Sequence, residues 1–348
     1  MLKKSIRTAM LSVSALAVLA VNVPVAQAQD SKLPTVTMMV GGIDKQIYLP
    51  YQLAQNLGYF KKYGVNMVLS TEQEGGIGAE DAMVSGQVDF AGAWYVHTID
   101  FQLHGKDVVD VVQLSGAPGE RILCANGSDI TTPENWKGKA VGVTDLGSGT
   151  DDLTLYLAAR YHLSTKDFTR VGVGAGETLI SALKHHRVVC AMTSQPTVNA
   201  VETMNVGYSA FDLATTAGAE KWLGGAWPAA AVLARTSWVK AHPKETQAVV
   251  NAMVATMHWI NTHSAEQIAD HMPPDFVSSP LSTKAQYAEA LTQDKGQFLP
   301  DGMMPAGGPE KVLDVEKLAG KITGPVNLEE TWDPQYAIAA NKMEGYTQ

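Results

Sequence analysis

The chain has 348 residues, 45% of them hydrophobic, and a formal net charge of −9. That apolar share supports sizeable cores, and the length favours two domains at about 100–200 residues each. The acidic balance excludes nucleic acid as a partner, which would need a basic footprint, and it offers no basic patch to an anionic membrane surface.

The first 28 residues read as a cleavable secretory signal. Lys3, Lys4 and Arg7 give a basic start, Ala9–Val25 a short apolar core, and Ala26-Gln27-Ala28 the small residues of a cleavage site. The core is too short and too Ala-rich to span a bilayer, which takes about 20 strongly apolar residues. Cleavage after Ala28 makes Gln29 the first mature residue and removes three cations and no acid, so the net charge falls from −9 to −12. No cysteine stands at the junction. The expectation is a soluble periplasmic monomer with no direct membrane anchor.

Short β-rich runs then alternate with helical segments, the pattern of an α/β fold with mostly parallel sheets. Val36–Val40 is a predicted strand. The helix after it has Pro50 in its first turn, Leu49, Leu53 and Leu57 on one stripe, and Gly58 as its stop. Val65–Ser70, Val88–Ala93 and Val108–Leu114 are strands, with helices at Gly78–Val84 and Tyr95–His104. A second block follows in the same style. Ile122–Ala125, Ala140–Thr144, Arg170–Val173 and Val189–Met192 are its strands; Asp151–Ala159, Glu177–Lys184 and Pro196–Met204 are its helices. Ala229–Arg235 is one more strand. Beyond Pro243 the chain reads as helical, through Lys244–Ile260, Ala265–His271, Lys284–Thr292 and Glu310–Leu318. Changes of texture near 115–125 and 225–240 mark two crossings. They divide the mature chain into one lobe of residues 29–118 with 236–348 and a second of residues 119–235, with a ligand cleft between them. Cys124 and Cys190 either pair in the oxidising compartment or stay as buried thiols in their apolar runs.

Ligands of α/β sheets bind beyond the carboxyl ends of the strands, so the loops there supply the candidates. The first offers Asp44, Lys45, Gln46 and Tyr48; the second Glu72 and the backbone at Gly76; the third Trp94, Tyr95 and His97. Ser148, Gly149 and Thr150 open a helix after a strand, where free N–H groups and hydroxyls can hold an oxyanion or merely cap the helix. Gln195 ends another strand, and Trp227 precedes the last one as an apolar wall. Replacing both Ser148 and Thr150 with Ala is expected to weaken binding and spare folding. His97, as a lone histidine, reads as a structural hydrogen-bonder.

Several segments taken in order resemble a known family. Leu49–Gly64 (LPYQLAQNLGYFKKYG) is similar to the first helix of nitrate/sulfonate/taurine-type periplasmic substrate-binding proteins. Ala82–Ala91 (AMVSGQVDFA), Asn135–Val143 (NWKGKAVGV) and the Gly147-Ser148 turn resemble later segments of that family. Leu183–Ala191 with Gln195-Pro196 departs from the pattern: Val189-Cys190 replaces its V-D, and Thr193-Ser194-Gln195 replaces its aromatic-acidic pair. The resemblance implies a two-lobed binding protein that closes on a small anionic or zwitterionic ligand (a sulfonate, taurine, nitrate or an organic carboxylate) and delivers it to an ABC transporter permease, with no cofactor and no catalysis.

Enzyme signatures fail. Gly142–Ser148 has phosphate-loop spacing with Ser148 where the lysine belongs, and neither H-E-x-x-H nor G-x-S-x-G occurs. The alternatives are an enzyme on the same fold, either dependent on pyridoxal phosphate or related to pyrimidine synthesis and using Lys45, and a ligand-presenting partner of a membrane sensor.

Overall fold

The computed structural model describes residues 32–72 and 77–346; the signal segment and Gly76 lie outside them. The first block runs β1 (Thr35–Gly41), α1 (Leu49–Asn56), α2 (Tyr59–Lys62), β2 (Asn66–Glu72), α3 (Ile77–Ser85), β3 (Phe90–Trp94), α4 (Val96–Leu103) and β4 (Val108–Gln113). The second runs β5 (Glu120–Ala125), β6 (Ala140–Val143), α5 (Gly149–Arg160), β7 (Thr169–Gly172), α6 (Glu177–Lys184), β8 (Cys190–Ser194), α7 (Thr197–Thr203), β9 (Gly207–Asp212) and α8 (Thr216–Leu223). After β10 (Ala230–Arg235) come α9 (Thr236–Ala241), α10 (Pro243–Thr262), α11 (Ala265–His271), α12 (Pro274–Val277), α13 (Lys284–Asp294), α14 (Gly308–Leu318) and α15 (Gln335–Glu344). The strands and helices expected from sequence form within about two residues of their expected ends, the usual scatter at element boundaries. The edge strand β9 and the helices α2, α8, α9, α12 and α15 go beyond the expected set.

Two five-stranded sheets carry the architecture, in the orders β2-β1-β3-β10-β4 and β7-β6-β8-β5-β9. In each, four strands share a direction and one opposes them. β10 is antiparallel to both β3 and β4, and β5 is antiparallel to both β8 and β9. The sheets are therefore mixed. An opposed strand begins where its neighbours end, so Ala230 lies across from Trp94 and Glu120 across from Ser194. The boundary drawn at residue 235 needs correcting for one strand: β10 pairs within the first sheet, so the chain has returned there by Ala230.

Helices cover both sheets because each has an apolar stripe to bury. α1 presents Leu49, Leu53 and Ala54 to the core, while α10 contributes Val249, Val250, Met253 and Met257. Each fully enclosed aliphatic side chain contributes about 1.5–3 kcal/mol. The Tyr51 hydroxyl donates to Ala231 O at 2.5 Å and pins α1 over the sheet. A Cβ at Gly92 would meet the Tyr51 ring at 2.9 Å, so that close approach depends on glycine. In the second sheet Cys124 and Cys190 face each other in register on β5 and β8 and form a disulfide, which decides between the two alternatives left by the sequence.

Candidate functional site

A small cavity lies where the two sheets meet, lined by Lys45, Tyr48, Trp94, Glu120, Thr144, Gly149 and Thr150. Lys45 and Tyr48 follow β1, Trp94 ends β3, Thr144 ends β6, and Gly149 and Thr150 open α5. Glu120 begins the opposed strand β5 and so reaches the same end of its sheet. The space measures about 10 Å³ for water centres, roughly one water molecule. The lobes are drawn together: the Trp94 ring lies so close to α5 that a Cβ at Gly149 would meet it at 2.0 Å. Trp94 is held from behind by Trp227, edge to face at 5.2 Å. A larger groove of about 550 Å³ runs along β4, α9 and the C-terminal segment, with Lys106, Asp107, Trp332 and Tyr336 in its walls. It draws on one lobe only, and none of the expected site residues lines it, so the cleft is the better candidate.

The wall from the second lobe is a knot of hydroxyls. Thr144 Oγ1 lies 3.0 Å from Ser148 Oγ and 2.9 Å from Thr150 Oγ1, and Ser148 Oγ lies 2.9 Å from Thr150 Oγ1. Thr144 N donates to Thr150 Oγ1 at 3.0 Å, and Ser148 donates to Asp145 O at 2.7 Å. These bonds hold the turn from β6 into α5. The first turn of α5 carries Asp151, paired with Arg170 at 2.5 Å, and Asp152, paired with Lys321 at 2.5 Å. Two carboxylates there already complement the positive end of the helix.

The same wall carries charge at Glu120, on β5 of the second sheet. Glu120 is buried, and its Oε2 has no hydrogen-bond partner. Burial pushes its carboxyl up to about 8, against the opposing pull of Lys45 and Arg121. Lys45 Nζ donates to Gly41 O at 3.2 Å instead. Successive strand residues face opposite ways, which sends Arg121 to a bidentate bond with Asp294 at 2.9 and 2.6 Å.

Of the residues expected from sequence, Tyr48, Trp94, Gly149 and Thr150 come together around the cavity. Ser148 supports it from behind, and Trp227 backs Trp94. Gln46 sits at the lobe contact, where its N–H donates to Gln195 O at 3.0 Å and its Nε2 to Tyr287 O at 2.7 Å. Gln195 accepts the Asn199 N–H with its side chain at 3.0 Å. Two residues lie elsewhere. The Asp44 side chain is exposed to solvent, and the Tyr95 hydroxyl lies in the first lobe's core, 2.6 Å from Thr331 Oγ1. His97 is likewise internal, with Nδ1 3.2 Å from Asp100 and Nε2 3.4 Å from Glu80. Glu120 and Thr144 are the additions. Glu120 escapes a search of carboxyl-end loops because its strand runs backwards, a direction that local composition does not write.

Known proteins resemble this chain in both sequence and fold. Residues 47–267 match the family described as NMT1/THI5 like. The 4-amino-5-hydroxymethyl-2-methylpyrimidine phosphate synthase THI12 of Saccharomyces cerevisiae is 30% identical over 142 residues, 40% of each chain. The match therefore spans less than half the length of that curated relative. A protein of Bordetella bronchiseptica RB50 superposes with a TM-score of 0.82 at 27% identity, over 90% of this chain and 99% of that one. The alkanesulfonate-binding protein SsuA of Xanthomonas axonopodis pv. citri, solved bound to MOPS, superposes with a TM-score of 0.65 at 16% identity, over 86% and 98%.

Proposed function

The chain belongs to the NMT1/THI5-like family, and from that premise we propose that it is a periplasmic solute receptor that captures a small organic ligand between its lobes and delivers it to an ABC importer. The observation that carries this reading is the cavity to which both lobes contribute: Lys45, Tyr48 and Trp94 from one, Glu120, Thr144, Gly149 and Thr150 from the other. A ligand bridging such walls stabilises the closed arrangement over an open one. In this proposal residues 1–28 direct export, one lobe comprises residues 29–118 with the C-terminal part from β10 onward, and the other comprises the residues between. Tyr48, Trp94, Gly149 and Thr150 contact ligand, and Lys45 faces an acidic group on it. A ligand-presenting sensor partner would use the same cleft.

The test is a thermal-shift screen over sulfonates, nitrate, carboxylates and pyrimidines. A true ligand raises the unfolding midpoint, and Trp94→Ala should reduce its affinity at least tenfold. The double change Ser148→Ala with Thr150→Ala is a poorer probe than the sequence implied. It strips Thr144 N of its acceptor, which costs about 1–3 kcal/mol, so binding and folding would fall together.

The enzyme reading draws on the yeast synthase likeness and on the amine of Lys45 in the cavity. The other residues fit a pyridoxal phosphate poorly. His97 is enclosed by Glu80 and Asp100 and does not line the cavity, and Glu120 would oppose a phosphate there. A Schiff-base absorbance band appearing on incubation with pyridoxal phosphate, and lost in Lys45→Ala, would favour the enzyme.

A further inference from the structure

We propose that Glu120 selects the ligand: the solute carries an ammonium or N–H-bearing nitrogen against this carboxylate and an acidic group toward Lys45, and is a small zwitterion, not a simple sulfonate, nitrate or carboxylate. This rests on the receptor reading above and narrows it.

Glu120 is 4% exposed, it lines the cavity, and its Oε2 has no partner. A buried acceptor of this kind calls for an explanation, because polar groups taken from water are normally paired. Several neighbouring donors are committed elsewhere. Arg121 is bound to Asp294, Lys45 donates to Gly41 O, and the hydroxyls of Thr144 and Thr150 are engaged with each other and with Ser148. Glu120 Oε2 receives no donor from the protein, which leaves that place open to one carried by the ligand. Trp94 and Tyr48 form the adjoining walls, and aromatic rings favour a cation in a desolvated space. A bare anion would meet the opposite conditions. It would draw on Lys45, the one cation among the lining residues, and would bring no donor for Glu120 Oε2. One lysine and one unpaired carboxylate across a single small space complement a molecule that bears both signs.

The experiment uses matched pairs that differ in the nitrogen: taurine against ethanesulfonate, β-alanine against propionate, and 4-(aminomethyl)benzoate against 4-methylbenzoate. Each is followed by thermal shift and calorimetry on the full mature protein. In at least one pair the nitrogen-bearing member should bind tenfold or more tightly than its partner. E120Q, close in shape, should lose that preference, and should raise the ligand-free midpoint above pH 8, where burial no longer keeps Glu120 protonated. E120D, which keeps the charge, should retain the preference at reduced strength. Plain acids binding as well as their amino counterparts, or E120Q keeping the preference, would overturn the role of Glu120 and leave the receptor reading standing. No midpoint shift with any of the six would count against both.

Discussion

Asp110 shows how a single buried acid makes stability depend on pH. It sits in β4 with Oδ1 accepting the Val112 N–H at 2.9 Å and Oδ2 without a partner. Burial pushes its carboxyl up to about 8, despite the Val112 bond. An unfolded aspartate titrates near 3.9, so between about pH 4 and pH 8 the folded chain holds a proton that the unfolded chain has released. Stability from this site is complete below about pH 4 and is lost as pH rises through 8. Asp110→Asn keeps an acceptor for Val112 and removes the charge. Thermal melts should show it more stable than the parent by about 1–3 kcal/mol at pH 8.5, with little difference at pH 4.5. An equal gain at both values would mean that the charge is not the cause. Glu120 has a similarly raised carboxyl but faces the cavity, where a ligand can supply its missing partner; Asp110 lies within the sheet core.

The disulfide acts between elements. Cys124 and Cys190 clamp β5 to β8 and close a loop across 66 positions of sequence. Chain entropy gives such a closure ~4 kcal/mol of stabilisation. The double change Cys124→Ala with Cys190→Ala should lower the unfolding free energy by several kcal/mol in denaturant titration. Reductant should shift the parent in the same direction and leave the variant unmoved. That pairing was not legible in the sequence, because spacing does not say which strands become neighbours. The alternation of strands and helices was legible, since glycine stops such as Gly58 and apolar stripes such as Leu49 and Leu53 are local signals. β9 escaped because it is an edge strand whose middle residues are half-buried, which blurs its alternation. The site divides in the same way. Tyr48, Trp94, Gly149 and Thr150 follow from the rule for parallel strands. Glu120 needed the direction of β5, and the outward turn of Asp44 needed the loop itself.

The lobes are joined by more than the cavity walls. Arg121 on β5 reaches Asp294 at the end of α13, with Asp212 at 3.4 Å as a second partner. Lys321, beyond α14, binds Asp152 on α5 and lies 3.7 Å from Asp100 on α4. Burial works against the charge on Lys321, but Asp152, Asp100 and Glu316 outweigh it and hold its pKa above the ordinary lysine range. Such pairs are two-sided. They are worth little against water while the lobes are apart, yet removing one partner in the closed form leaves a buried charge alone, at about 3–5 kcal/mol. A hinged molecule can escape that penalty by opening and hydrating the orphan. Arg121→Met is therefore expected to shift the ligand-free protein toward an open form, with a larger radius of gyration by small-angle scattering. Ligand must then supply the energy of closure, so affinity should fall by about tenfold for each 1.4 kcal/mol that closure has lost. A variant that keeps the parent radius and loses only stability would show Arg121 and Asp294 to be a structural pair, and would leave the work of closure to Lys321 and the cavity walls.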